Sequence, residues 1–126
     1  MQIVGVAAAP VSFGVFGGAD DDASWGRDAE ALLRAIAAAG YSGTELGPPR
    51  FFGPPDLIKD RLAGHGLRLA GAYIPLHLGD PRHRADDFRA MRLTFEELAA
   101  GEGSFAILAD WGSDALMSQP ARPWDD

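Results

Sequence analysis

The sequence predicts an α/β domain whose strands run parallel, and three observations carry that prediction. Apolar runs of strand length occupy residues 3–8, 41–48, 67–78 and 104–110. Between them lie segments with helical spacing of apolar residues, and Gly or Pro marks almost every junction. The resulting order, β-α-β-α-β-α-β, calls for parallel strands joined by right-handed crossovers. Two architectures have this order: the amino-terminal half of a (β/α)8 TIM barrel, which in full needs about 250 residues, and a small open doubly wound sheet. Periodicity does not choose between them.

The first run stops at Ala9-Pro10. The segment Val11 to Gly18 then mixes aromatic rings with glycine, as a substrate loop would, with Phe13 offering an apolar face. Its glycine spacing matches neither the dinucleotide fingerprint nor a phosphate-cradling loop. Asp20 to Asp22 read as a solvated turn. Residues 28–39 form a helix, because Ala29, Leu32, Leu33, Ile36 and Ala39 recur on one face and Gly40 supplies a left-handed stop.

Residues 41–48 read as a short buried strand with a functional tip. A period of two sends Thr44 and Leu46 toward covering helices and Gly43 and Glu45 to the opposite face, until Gly47-Pro48-Pro49 ends the strand. Residues 50–55, with two phenylalanines and two prolines, form a loop suited to walling a pocket. Asp56 is expected to cap a short helix containing Leu57, Ile58, Arg61 and Leu62, and Gly64-His65-Gly66 breaks it, leaving His65 in an exposed turn. The third strand, residues 67–78, ends in Pro75-Leu76-His77-Leu78. Residues 85–100 make the longest helix, with Phe88, Met91, Phe95 and Leu98 as the expected packing stripe and Gly101 as the stop. The fourth strand closes on Asp110, and residues 111–126, without a period, read as loop or tail.

Composition bounds the partners. A chain of 126 residues with 47% hydrophobic content is one globular domain, spanning residues 1–126. Its net charge of -7, uninterrupted by any basic cluster, repels phosphate backbones, so no nucleic acid partner is expected. The absence of cysteine excludes disulfides and thiolate metal sites and fits a reducing compartment. With no signal-peptide pattern at the start and no apolar stretch of membrane length, the expectation is a cytoplasmic protein without membrane contact.

Glu45, His77 and Asp110 each fall at the carboxyl end of a strand, the end at which parallel α/β proteins bind ligands. For Glu45 two readings stand side by side: a group for the ligand, or a carboxylate that holds a neighbouring Arg or caps the next loop.

Three stretches also carry a resemblance. Ala9-Pro10-Val11-Ser12-Phe13-Gly14-Val15, then Ala39-Gly40-Tyr41-Ser42-Gly43-Thr44-Glu45-Leu46-Gly47-Pro48, then Gly66-Leu67-Arg68-Leu69-Ala70-Gly71-Ala72 resemble the first strand regions of the sugar phosphate isomerase/epimerase family, the xylose-isomerase-like TIM barrels, and most closely its inosose dehydratase-like members. The resemblance implies a barrel that binds a divalent metal (Mn, Co, Mg or Zn) and moves a proton beside the carbonyl of a sugar or polyol. In that family two Glu, one Asp and one His from later strands hold the metal. The chain stops at Asp126, before those strands, so none of the four ligands carries over and no metal is expected on this chain alone. Related nucleases acting at abasic sites place a metal-binding His on an early strand, which singles out His77, although the acidic charge speaks against DNA. The expectation is therefore a substrate-recognition half in which Phe13, Glu45, His77 and Asp110 face a small-molecule sugar or polyol. An inactive fragment or a non-catalytic carbohydrate-binding module is the alternative. Half a barrel leaves open strand edges, so a homodimer or a separate second half-barrel is expected to cover them.

Overall fold

A computed structural model describes residues 5–15 and 28–112. It is a mixed α/β structure in which every described strand pair is parallel, arranged as two small open sheets. Strands β1 (Ala7–Ala8), β2 (Gly43–Thr44) and β3 (Arg68–Leu69) form the first sheet in that order, and β4 (Gly71–Leu76) pairs with β5 (Phe105–Asp110) in the second. Helices α1 (Ala29–Ala38), α2 (Pro55–Gly64) and α3 (Arg84–Ala100) connect them. No closed barrel is formed by the described residues. Residues 3 and 4 of the first predicted strand, the end of the glycine-rich loop, Asp20 to Asp22 and residues 113–126 lie outside them.

Helix α1 forms where its apolar spacing predicts. Asp28 caps it by accepting the Ala31 N–H at 2.8 Å, and Leu32, Leu33 and Ile36 are fully buried on one face. Gly40, at φ 87°, takes the left-handed turn that ends it. Ala39, expected on the packed face, is exposed, because the helix has already unwound there. Helix α2 contributes Ile58 and Leu62, whereas Leu57 stays exposed. Its cap position is Pro54, two residues before the expected Asp56, which sits in the first turn where a carboxylate favours the positive end of the helix. Together with Phe52, Leu69, Ala72, Ile74, Leu76 and Leu98 these side chains make one core. Each large member stabilises the fold by about 1.5–3 kcal/mol through removal from water.

The predicted third strand is two. Ala70 donates its N–H to the Thr44 carbonyl on the β2 side, yet its own carbonyl accepts from Ser104 on the β5 side. In a regular strand both groups of one residue face the same neighbour, so the chain rotates at Ala70 and changes partner. At the next residue the Gly71 carbonyl accepts from Leu46 at 2.8 Å, which joins the two sheets. Gly71 has no room for a side chain: a Cβ there would come within 2.6 Å of the Phe105 carbonyl oxygen and 2.7 Å of its ring. Beyond that point β4 pairs with β5 alone. Pro75 fits this arrangement, since the Leu76 carbonyl accepts from Trp111 on the β5 side and the donorless nitrogen of Pro75 turns to the open edge.

Three further expectations are corrected by packing. The face α3 turns to the core carries Thr94, Glu97 and Leu98, with Met91 beside them, while Phe88 and Phe95 are exposed. Burial on α3 follows the line to Gly101, whose missing side chain leaves room for Leu69 and Ile58. Residues 50–55 do not wall a pocket with both rings, because Phe52 is 2% exposed and belongs to the core, with Phe51 packed edge-on at a centroid distance of 5.2 Å. His65 is partly buried rather than free, its Nε2–H donating to Glu30 Oε2 at 2.7 Å. Glu30 also pairs with Arg61 Nε at 3.0 Å, and Arg61 Nη1 donates to the Phe52 carbonyl at 2.6 Å, so one carboxylate links α1, α2 and the 50s loop.

Candidate functional site

A connected group of polar side chains lies at the carboxyl end of β4. A 3-10 turn over Pro81–His83 runs directly into α3, and this tight return brings Asp87, in the first turn of that helix, back to His77. Asp87 Oδ2 accepts the His77 backbone N–H at 2.8 Å, and Oδ1 lies 3.0 Å from His77 Nδ1. The hydrogen bonds from His77 hold the Asp87 carboxyl below its ordinary range, so the carboxylate accepts only. Nδ1 therefore carries the proton, and in the neutral ring the lone pair sits on Nε2. His77 Nε2 has no protein partner among the described residues.

A second imidazole backs the first. The His83 ring stacks on His77 with centroids 4.1 Å apart and planes 21° from parallel. Asp80 stands behind it, 3.7 Å from His83 Nε2, and is gripped by Arg82 through Nε and Nη2. The side-chain bond from Arg82 is the main reason the Asp80 carboxyl lies far below its ordinary range. The ladder pairs Leu76 with Asp110, so Asp110 ends β5 at the same carboxyl end at which His77 follows β4. Asp110 Oδ1 accepts from Leu78 at 3.3 Å and from Gly112 at 3.0 Å, so one of its oxygens ties down the strand end.

Of the four residues expected at one mouth, His77 and Asp110 fall at the carboxyl end of the β4–β5 pair, with no hydrogen bond or ion pair between them among the described residues, and Phe13 and Glu45 lie elsewhere. Leu46 bonds to Gly71 at the beginning of β4, whereas His77 follows its end, six residues or on the order of 20 Å of extended chain further on. Phe13 ends a 3-10 turn over Pro10–Phe13 and is half-buried against the core. Thr44 and Leu46 are buried and Glu45 is half-buried, the alternation expected of the strand. The Glu45 carboxylate has no ion pair or hydrogen bond among the described residues, so the reading in which it holds an Arg has no support there. Glu45→Gln is accordingly expected to leave stability within about 0.5 kcal/mol of the parent. Urea unfolding checks this, and a larger loss would restore a structural role for the charge.

Asp87 was not singled out by sequence reasoning. The signal that could have found it is its spacing: an acidic residue ten positions after a strand-terminal His, in the first turn of the following helix, faces back toward that strand end. An open groove of about 630 Å³ lies at the other end of the strands. It lies at the amino ends of the strands, lined by Val6, Ser42, Arg68, Ala70, Glu102 and Ser104 among others. There Lys59 and Glu102 form a close pair on its rim, and that bond raises the Lys59 pKa.

The divalent metal implied by the family resemblance needs converging donors. Among the described residues no group of three or more His, Asp or Glu side chains is placed to hold an ion, and the Nδ1 of His77 is already engaged by Asp87. No described helix is long and apolar enough to cross a membrane. No family model, no curated protein and no solved structure matches the chain.

Proposed function

We propose that this chain is the substrate-recognition part of a sugar or polyol isomerase, epimerase or dehydratase of the xylose-isomerase-like kind, with its parallel strands forming one side of a barrel wall in the cytoplasm. The observation that carries the reading is the His77–Asp87 pair at the carboxyl end of β4, where Asp87 fixes the tautomer and leaves His77 Nε2 as the free base. The three stretches resembling that family add to it, as does the acidic charge, which disfavours a polyanionic substrate.

In this reading Nε2 accepts a proton from a substrate hydroxyl or from the carbon beside a carbonyl. In the latter case the C–H electron pair moves into the developing enediolate, and the imidazolium returns the proton to the neighbouring carbon in an isomerase, with the hydroxyl proton passing between the two substrate oxygens, or to the same carbon in an epimerase. In a dehydratase the electron pair instead expels the β-hydroxyl, which takes the imidazolium proton and leaves as water. Asp87 stabilises the imidazolium through Nδ1, and the stacked His83 shields one face of the ring from water. The second oxygen of Asp110, at the same end of the strand pair, is a further acceptor for a substrate hydroxyl.

The test is deuterium uptake at carbon from D2O, followed by proton NMR over a panel of ketoses and ketoinositols. Exchange is expected with the parent chain and a loss of about 10²-fold or more with His77→Gln. Asp87→Asn, which frees the tautomer, should impair exchange and change its pH profile. Exchange indifferent to His77→Gln overturns the assignment. Sugar binding without exchange would mark a carbohydrate-binding module instead.

A further inference from the structure

We propose that the groove at the amino ends of the strands binds a small carboxylate that carries an apolar body, with Arg68 taking its charge. The space exists because the positions around it carry little. Gly5, Ala7 and Gly43 on the strand side, Ala63 on α2 and Ala70, where the third predicted strand divides, have at most a methyl group. Gly43 has no alternative, since a Cβ there would come within 2.8 Å of the Arg68 carbonyl oxygen. The volume of about 630 Å³ lies within the range of ligand pockets, roughly 300–1,000 Å³. Leu62, Leu67 and Leu69 back the groove as buried members of the core. Val6 and Phe105 stand at its border, 57% and 50% exposed, and supply the apolar surface that a ligand body covers.

The polar groups of the groove select an anion. Arg68 lines it, is exposed, and its guanidinium has no ion pair or hydrogen bond among the described residues. Ser104, whose N–H donates to the Ala70 carbonyl, keeps its hydroxyl uncommitted among them, whereas the Ser42 hydroxyl is engaged by the Val6 N–H and carbonyl. Lys59 already holds a carboxylate, that of Glu102 at 2.5 Å. Glu102 reaches it from a left-handed backbone position, φ 58°, between Gly101 and Gly103. Both of those glycines serve space: a Cβ would come within 2.6 Å of Leu69 at the first and 2.5 Å of Leu98 at the second. The left-handed position itself suits glycine better, so the glutamate holds backbone strain at the rim of a cavity, where strain commonly accompanies function. With two cations against one carboxylate, the groove is locally positive in a chain of net charge -7. A guanidinium takes a carboxylate through two parallel N–H bonds, and the rest of the ligand lies against Val6 and Phe105. Inorganic phosphate fits the charge but leaves that apolar border uncovered, and a neutral polyol uses neither.

Amide NMR titration of the full chain with phenylpropionate, octanoate, phenylpropanol, acetate and inorganic phosphate tests this. Saturable shifts at Val6, Ser42, Arg68 and Ser104 are expected with phenylpropionate and octanoate. Binding should be weaker by about tenfold or more with phenylpropanol, which lacks the charge, and with acetate, which lacks the body. Arg68→Gln should lose about tenfold in affinity for phenylpropionate. Its thermal midpoint should match the parent's, because the side chain is exposed and holds no other described residue. Glu102→Gln, which frees Lys59, should tighten binding severalfold. Phenylpropanol binding as tightly as the acid, affinity indifferent to Arg68→Gln, phosphate binding as well as phenylpropionate, or shifts confined to His77 and its neighbours would each overturn the proposal, as would the absence of saturable binding. His77→Gln should leave the titration unchanged, so this site and the reaction proposed for His77 can each fail without the other.

Discussion

Phe52→Ala is expected to destabilise the protein by about 3–5 kcal/mol, a substantial part of the total stability of a domain this size. The ring is 2% exposed in a core shared with α1 and α2, and its removal leaves a cavity that the surrounding helices cannot close. Relaxation of the loop is limited because its main chain is held at both sides. Arg61 Nη1 donates to the Phe52 carbonyl at 2.6 Å, and the Arg50 N–H donates to Glu97 Oε1 at 2.6 Å. Phe51→Ala, at a half-buried ring, should cost distinctly less. Urea unfolding of both variants at pH 7, read as a change in midpoint at constant slope, makes the comparison. Equal small losses for the two would mean that Phe52 stands outside the core.

The second large effect centres on Glu97, a carboxylate only 2% exposed on α3. Its Oε1 accepts the N–H of Arg50, a residue in the left-handed region at φ 65°, and lies 3.8 Å from the Arg50 Nε. Glu97→Leu removes the acceptor and is expected to cost about 1–3 kcal/mol, whereas Glu97→Gln keeps an oxygen for the N–H and should be close to neutral at pH 7. Burial raises the Glu97 pKa above its ordinary 4.5, and the bonds from Arg50 only partly offset this. Between 4.5 and the raised value the folded chain therefore holds more protons than the unfolded chain, so this group's contribution to stability falls as pH rises through that window. Acidification from neutrality toward pH 4.5 should accordingly stabilise the parent, and Glu97→Gln should remove that gain.

Asp80 and Asp87 act in the opposite sense. Their folded pKa values lie below the ordinary 3.8, so the stability they contribute is present above 3.8 and is lost as pH falls from there through the lowered folded values. Thermal unfolding between pH 3 and 8 separates the two effects. A parent profile that the Gln variant reproduces in full would show that Glu97 is not the group responsible.

The local grammar of this chain was readable without coordinates. Apolar spacing placed α1 with its buried Leu32, Leu33 and Ile36, Gly40 placed its stop, and the uncharged run before Asp110 placed β5. The alternation of strands and helices specified parallel pairing, and it put His77 at a strand's carboxyl end. These features rest on a period of two or 3.6 residues and on the backbone limits of Gly and Pro, which act within a few positions of the chain.

Tertiary structure alone decided where those pieces meet. Ala70 looks like any small residue in an apolar run, and only its competing bonds to Thr44 and Ser104 divide the third strand in two. That change of partner lifts His77 and Asp110 well beyond Glu45, although all three end strands. The helix 84–100 has two faces with apolar residues, and contact with α2 and β4 chose the one carrying Thr94, Glu97 and Leu98 over the one carrying Phe88 and Phe95. Asp87 became part of the candidate site because a 3-10 turn closes tightly enough to return it to His77. Register, the choice of helix face and the pairing of a carboxylate with an imidazole are set by contacts between distant segments, and the spacing of residues along a chain does not encode which segments will touch.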